Sequence, residues 1–203
     1  VGWLIAAFLA SPEPGEPRSI TPVTPASAED RALARAENAA TAFAELSESM
    51  RGRLLVGPVA SMRSQVDDTV ATLRRLAAHT SVTTAALGRF DPDFLRQERL
   101  RLTHSRESAR PEIAAELDRA ISALTAQEGV YTRLSQTRER LLVRLESTVI
   151  VLEGLVARLV ELSALDATSG TATPLALDQL TADLELTRQA LHDLDDETRD
   201  DLP

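Results

Sequence analysis

The sequence predicts an all-α protein: an elongated antiparallel helical bundle or coiled coil built around one long helix of about 50 residues. Three observations carry that expectation. Aromatic residues make up 3 % of the 203 residues and there are only 8 glycines, whereas Ala, Leu, Arg and Glu abound, which is the composition of long helices packed along a seam. Steps of alternating four and three residues then run through Ile113, Leu117, Ala120, Leu124, Gln127, Tyr131, Leu134, Arg138, Leu141, Leu145, Thr148, Leu152, Leu155, Leu159 and Leu162, and twelve of these fifteen positions are apolar. A seam kept at a 3.5-residue period for that distance implies a left-handed supercoil. Finally, Pro- and Gly-containing stretches separate this segment from shorter apolar-periodic ones on either side, as expected of helices that fold back on each other.

In chain order, Val1 to Ala10 (VGWLIAAFLA) is uncharged and apolar. Ten residues are too few to span a bilayer, which needs about 20. The run reads as the C-terminal end of a transmembrane helix whose beginning is missing, in preference to the remnant of a signal-peptide core or an apolar strap on the bundle. The rigid, polar SPEPGEP that follows and the interfacial preference of Trp3 favour that choice. Residues 11–26 hold Pro12, Pro14, Pro17, Pro22 and Pro25 among Ser and Thr, the composition of an extended linker.

Residues 27–203 form the expected helical domain. Ser27 is placed to cap a first helix, with Asp30 reaching back three positions later. Leu33, Ala36, Ala40, Phe43, Met50 and Leu54 follow at helical spacing, with Gly57 and Pro58 expected as the stop. A second helix carries Val59, Met62, Val66, Val70, Leu73 and Leu76 on one face and weakens through a Thr-rich stretch toward Gly88. Asp91 as N-cap and Pro92 at the first helical position start a third. The long helix begins near Pro111 and closes at ATSGTATP (Ala167 to Pro174). Gly129 and Gly154 each cost it about 1 kcal/mol relative to Ala and offer places to bend or break. A last helix repeats the seam through Leu177, Leu180, Leu184, Thr187, Leu191 and Leu194, expected antiparallel to residues 145–165. The final DLDDETRDDLP is too charged to pack, so it reads as an acidic tail.

Composition excludes several chemistries. There is no cysteine, hence no disulfide, thiolate metal site or Cys nucleophile. All 22 basic residues are arginine; without lysine there is no P-loop, kinase-type or Schiff-base lysine. Arg-only, Ala-rich usage is also what a GC-rich bacterial genome produces. A net charge of −9 argues against nucleic-acid binding, which needs surplus positive charge. The charge is uneven: residues 51–110 carry 11 Arg against 6 acids, +5, and residues 175–203 carry 2 Arg against 9 acids, −7.

No GxSxG, GxGxxG, HExxH or EF-hand pattern occurs. His79, His104 and His192 fall on different helices, and the one spacing suited to a metal, His192 with Asp196, is of a kind common on acidic helix ends. Catalytic, cofactor-binding and metal residues are therefore expected to be absent. The candidate partner surface is the seam itself: Leu134, Arg138, Leu141, Leu145, Thr148, Leu152, Leu155, Leu159 and Leu162. Within it Gln127, Arg138 and Thr148 are polar residues of the sort that fix register or oligomer state. Arg96, Arg99, Arg101 and Arg106, in RQERLRLTHSRESAR, are candidate contacts to an anionic surface, against the plainer view of a solvated face of Arg and Glu neighbours.

Two stretches, DPDFLRQERLRL (Asp91 to Leu102) and RLESTVIVLEGLVARLVELSAL (Arg144 to Leu165), together with the upstream apolar run, resemble helical membrane-associated proteins of GC-rich bacteria linked to the phage-shock envelope-stress response. The resemblance covers residues 90–165. It implies a membrane-tethered module that binds another helical protein, for instance a phage-shock protein A-like partner, and no catalytic residues. The expectation is a non-enzymatic adaptor on the bacterial inner membrane, its helical domain facing the cytoplasm, binding a helical partner or itself. The alternative is a structural or scaffold coiled coil of the cell envelope or division machinery.

Overall fold

Every described residue outside short connections is helical, and the order is α1 (Ala28–Ser49), α2 (Val56–Leu87), α3 (Pro92–Glu107), α4 (Pro111–Ser169) and α5 (Pro174–Asp200). The structure is a computed structural model that describes residues 23–50, 56–169 and 174–200, with side-chain surroundings for 23–50, 59, 62–164 and 179–194. The all-α expectation holds. The apolar run Val1 to Ala10 and most of the expected linker lie outside the described residues, and among the described residues no helix is long and apolar enough to cross a membrane.

Ser27 caps α1 as expected, its Oγ accepting the Asp30 N–H at 3.1 Å. The Asp30 carboxylate reaches past Ser27, though, and accepts the N–H of Ala26 at 2.8 Å, because the Ser27 N–H is already donated to the Thr24 carbonyl at 3.3 Å. This tight entry holds Ala26 at φ 60, where its Cβ costs about 1–2 kcal/mol. The linker expected through residue 26 is thus anchored from Val23, which packs against the core, and from Thr24, whose N–H donates to Ser81 Oγ at 3.2 Å.

The expected stop of α1 is corrected. The helix ends at Ser49 with Met50 as its C-cap, and Gly57 and Pro58 fall in the first turn of α2. Proline is tolerated there because the first N–H groups of a helix have no intrahelical acceptor to lose. Leu54, counted on the first helix, lies outside the described residues. The rest of the α2 expectation stands: Val59, Met62, Val66, Val70, Leu73 and Leu76 are all buried. Asp91 caps α3, accepting the Phe94 N–H at 2.9 Å, with Pro92 just inside.

Helix α4 runs 59 residues, about 88 Å at 1.5 Å per residue, longer than expected and unbroken by either glycine. Added Cβ atoms would meet only Arg133 Nη1 at 3.7 Å from Gly129 and nothing within 4 Å at Gly154. Helix α5 continues through the stretch taken as an unpacked tail, as far as Asp200.

Cross-helix pairs fix the topology. Ser81 with Glu29, Arg74 with Glu37 and Arg63 with Glu48 make α1 and α2 antiparallel. Arg138 with Thr84 joins α4 to α2, and Arg99 with Glu128 and Arg106 with Asp118 make α3 and α4 antiparallel. Arg158 with Asp183 joins α4 to α5. The last helix contacts α4, as expected, but its larger contact is with α2. The molecule therefore has two regions. In the base, α1, α2, the C-terminal half of α4 and α5 enclose one core. In the arm, α3 and the N-terminal half of α4 form a two-helix hairpin beyond it, with Phe90 and Tyr131 meeting edge to face at 6.1 Å near the junction.

Candidate functional site

The seam of α4 changes character along its length. In the base, Leu141, Leu145, Thr148, Leu152, Leu155 and Leu159 are buried, while Leu134, Arg138 and Leu162 are half-buried. The covering side chains belong to this chain: Ala32, Ala36, Ala39 and Phe43 from α1, the apolar face of α2, and Leu180, Leu184 and Leu191 from α5. Alanines let the α1 backbone approach closely. Arg35 then clamps the helices from outside, donating from Nε and Nη2 to Glu153 at 2.9 and 2.7 Å and from Nη1 to Glu146. The Glu153 carboxyl is held below the usual carboxylate range by the Arg35 guanidinium.

That geometry corrects the expected partner surface. Six of its nine residues are interior and face the chain's own helices, so a partner has no access to them. Arg138, singled out as a register-setting polar residue, donates from Nε to Thr84 Oγ1 at 2.8 Å, which ties α4 to the end of α2. Thr148 is buried among the leucines.

In the arm the same repeat is not closed. Leu117, Ala120, Leu124 and Tyr131 are half-buried, and Ile113 and Gln127 are exposed. Helix α3 supplies one buried apolar side chain, Leu95. Its neighbour Phe94 is 57 % exposed and Ile113 is 54 % exposed. The dipeptide Phe94-Leu95 was legible as a conflict, since adjacent residues sit about 100° apart on a helix and cannot both face one partner.

The four arginines taken as anionic-surface contacts are all engaged with carboxylates. Arg96 pairs with Asp93 at 3.0 Å, Arg101 donates from Nε to Glu98 at 2.7 Å, Arg99 Nε reaches Glu128 at 3.0 Å, and Arg106 Nε reaches Asp118 at 2.6 Å. Pairing with Arg101 lowers the Glu98 carboxyl, and pairing with Asp118 raises the Arg106 guanidinium. A free basic stripe is therefore not what α3 presents. Two of the pairs are one turn apart on α3, and the other two bridge to α4.

Among the grooves along α4, one of about 1110 Å³ has Val130, Leu134, Val143 and Arg144 among its lining; another, about 540 Å³, lies between Ile150 and Gly154 of α4 and Leu184 and Leu186 of α5. Neither contains a histidine. Among the described residues no group of three His, Cys, Asp or Glu side chains is arranged to hold a metal ion. Asp196, considered with His192, has no described side chain. No family model, curated protein or solved structure matches the chain.

Proposed function

We propose that this chain is a non-enzymatic helical adaptor, tethered to a bacterial membrane at its N-terminal end, in which the base is a closed scaffold and the α3/α4 arm is the binding element. One observation carries the assignment of surfaces: the apolar repeat of α4 is sealed by the chain's own helices from Leu141 to Leu159 and half open from Ile113 to Tyr131. Apolar side chains left at a helix face gain most from a further helix laid against them. The tether rests on the apolar run Val1 to Ala10. Envelope-stress signalling, with the helical domain on the cytoplasmic side, rests on the phage-shock-type resemblance of residues 90–165.

Photo-crosslinking residues placed singly at Phe94, Leu100 and Ile113 in the arm, and at Val143 and Leu186 in the base, test the division of labour, since all five side chains are exposed. Adducts in cells should form at the arm positions to one defined protein species. Equal or stronger adducts at Val143 and Leu186 would overturn the assignment. Carbonate-washed membranes should retain the product of the full gene, and its recovery in the soluble fraction would remove the tether.

A further inference from the structure

We infer that residues 23–27 form a latch at the root of the arm: seated, they brace the last turns of α2, from which α3 springs, and unseated they let the arm loosen and bind. This regulation rests on the reading of the arm as the binding element.

The strap enters the bundle strained and lightly held. Ala26 sits at φ 60, a left-handed conformation that a residue with a Cβ resists. Its N–H donates to the Asp30 carboxylate at 2.8 Å and its carbonyl accepts from Arg31 Nη1 at 2.9 Å, both at the exposed surface, where water competes for the same groups. Inside, the Thr24 N–H donates to Ser81 Oγ at 3.2 Å, and the Ser81 hydroxyl donates to Glu29 Oε1 at 2.9 Å. Glu29 is 1 % exposed and Ser81 4 %. A carboxylate kept from water gains by any movement that hydrates it. Strain at Ala26 and burial at Glu29 thus both act to unseat the strap, against the packing of Val23 on the core. Strain that persists only because its surroundings hold it is a feature of switch segments.

The seat of the strap is also where the arm is hung. Ser81 lies in the last two turns of α2. Three residues on, Thr84 Oγ1 accepts from Arg138 Nε of α4 at 2.8 Å, and the Thr84 carbonyl accepts the Gly88 N–H at 3.1 Å, at the turn that leads to α3. The hydroxyls of Thr80, Thr83 and Thr84 are bonded back to carbonyls one turn earlier, which weakens a helix slightly, so these turns depend on outside support. The strap supplies one support at Ser81 and Arg138 another at Thr84. Helix α3 adds little hold of its own, with Leu95 its one buried side chain, and regions with few buried contacts open first. An unseated strap therefore loosens α3 before the base and uncovers Leu95 for a partner helix. A tether at the N-terminal run would draw on residues 23–27 before it draws on α1, since they lie between the two in sequence.

Amide exchange in the full chain reads the latch. Ala26 is exposed, so substitution there acts through the backbone conformation. Ala26→Gly, at ease at φ 60, should slow exchange in residues 82–107 about two- to fivefold. Ala26→Val should speed it by at least as much, since a β-branched residue tolerates positive φ least. In the unsubstituted chain those residues should exchange faster than residues 141–159. Equal rates in the two regions, or rates in residues 82–107 that neither variant changes, would overturn the latch. In cells, photo-crosslinked adducts at position 94 should rise in Ala26→Val and fall in Ala26→Gly, and the opposite order would overturn its control of binding. Shifted exchange with no arm adducts in any variant would discard the arm as binding element and keep the latch.

Discussion

The two halves of α4 carry the same alternating repeat and meet different surroundings. From Leu141 onward three other helices lie against it, and the side chains at Leu145 and Leu159 are fully buried. Before Tyr131 only α3 lies against it, and the corresponding positions are half-buried or exposed. An apolar stripe on a helix is about 100° wide or more, and a single neighbouring helix covers only part of it. The repeat therefore states that a helix needs cover. How many neighbours it receives is decided by where the chain turns, here at residues 108–110 and after Ser169.

The comparison breaks most visibly by placing a charge in each half. Leu145→Asp or Leu152→Asp should destabilise the protein by about 4 kcal/mol or more, because a carboxylate enters a closed apolar interior without a partner. Ile113→Asp, at a side chain that is mostly exposed, should change stability by no more than about 0.5 kcal/mol. Thermal melts followed by circular dichroism decide. Equal losses at both places would mean that the arm is as closed as the base.

How much of this was legible follows from the range of each signal. Local signals were read correctly: the Ser27 and Asp91 caps depend on residues three positions away, and the buried face of α2 on its own spacing. Gly57 and Pro58 were ambiguous because the same residues stop one helix and start the next; only the position of Met50 as a C-cap resolves the choice. The division of the seam was not legible at all. Leu117 and Leu145 are equivalent in the repeat, and the difference between them is whether α1, α2 and α5 happen to lie alongside. Likewise Arg96–Asp93 and Arg101–Glu98 could be read from i,i+3 spacing, whereas Arg99–Glu128 and Arg106–Asp118 require the register of the hairpin.

A gentler probe uses the two glycines inside α4. Ala favours a helix over Gly by about 1 kcal/mol, and both sites have room for a methyl group. Gly154→Ala, in the closed half, should raise the global denaturation midpoint by about that amount. Gly129→Ala, in the arm, should chiefly slow amide exchange between residues 92 and 131, because that region opens before the base unfolds. If Gly129→Ala shifts the global midpoint as much as Gly154→Ala, arm and base unfold together.

Acid distinguishes the two regions by a smaller margin. Arg35 holds the Glu153 carboxyl below its ordinary value across the α1–α4 contact, so its contribution is present above that ordinary value and lost as pH falls through the lower folded one. Glu98 is lowered as well, but by Arg101 on the same helix, a pair that survives opening of the arm. Solvent screens both. Glu153→Gln should flatten the loss of melting temperature between pH 6 and pH 3, and Glu98→Gln should leave that slope alone. An unchanged slope in Glu153→Gln would show that the clamp adds nothing to the base.

The smallest effect concerns lipid. Arg96, Arg99, Arg101 and Arg106 each hold a carboxylate, those of Asp93, Glu128, Glu98 and Asp118, so the four pairs present no net charge to a surface a Debye length away, about 10 Å at 0.1 M salt. Anionic vesicles should therefore bind the chain no more tightly than they bind a variant with all four arginines replaced by Gln. Nor should deleting residues 193–203 strengthen binding, since the arginines are already paired within the arm. What the quadruple variant should lose is the two ion pairs that bridge α3 to α4, seen as faster amide exchange in α3 with the base unaffected. Wild-type binding at 0.1 M salt that disappears both at 1 M and in the variant would reverse this conclusion. It would mean that a membrane pulls these guanidinium groups away from their carboxylates and that the arm meets lipid.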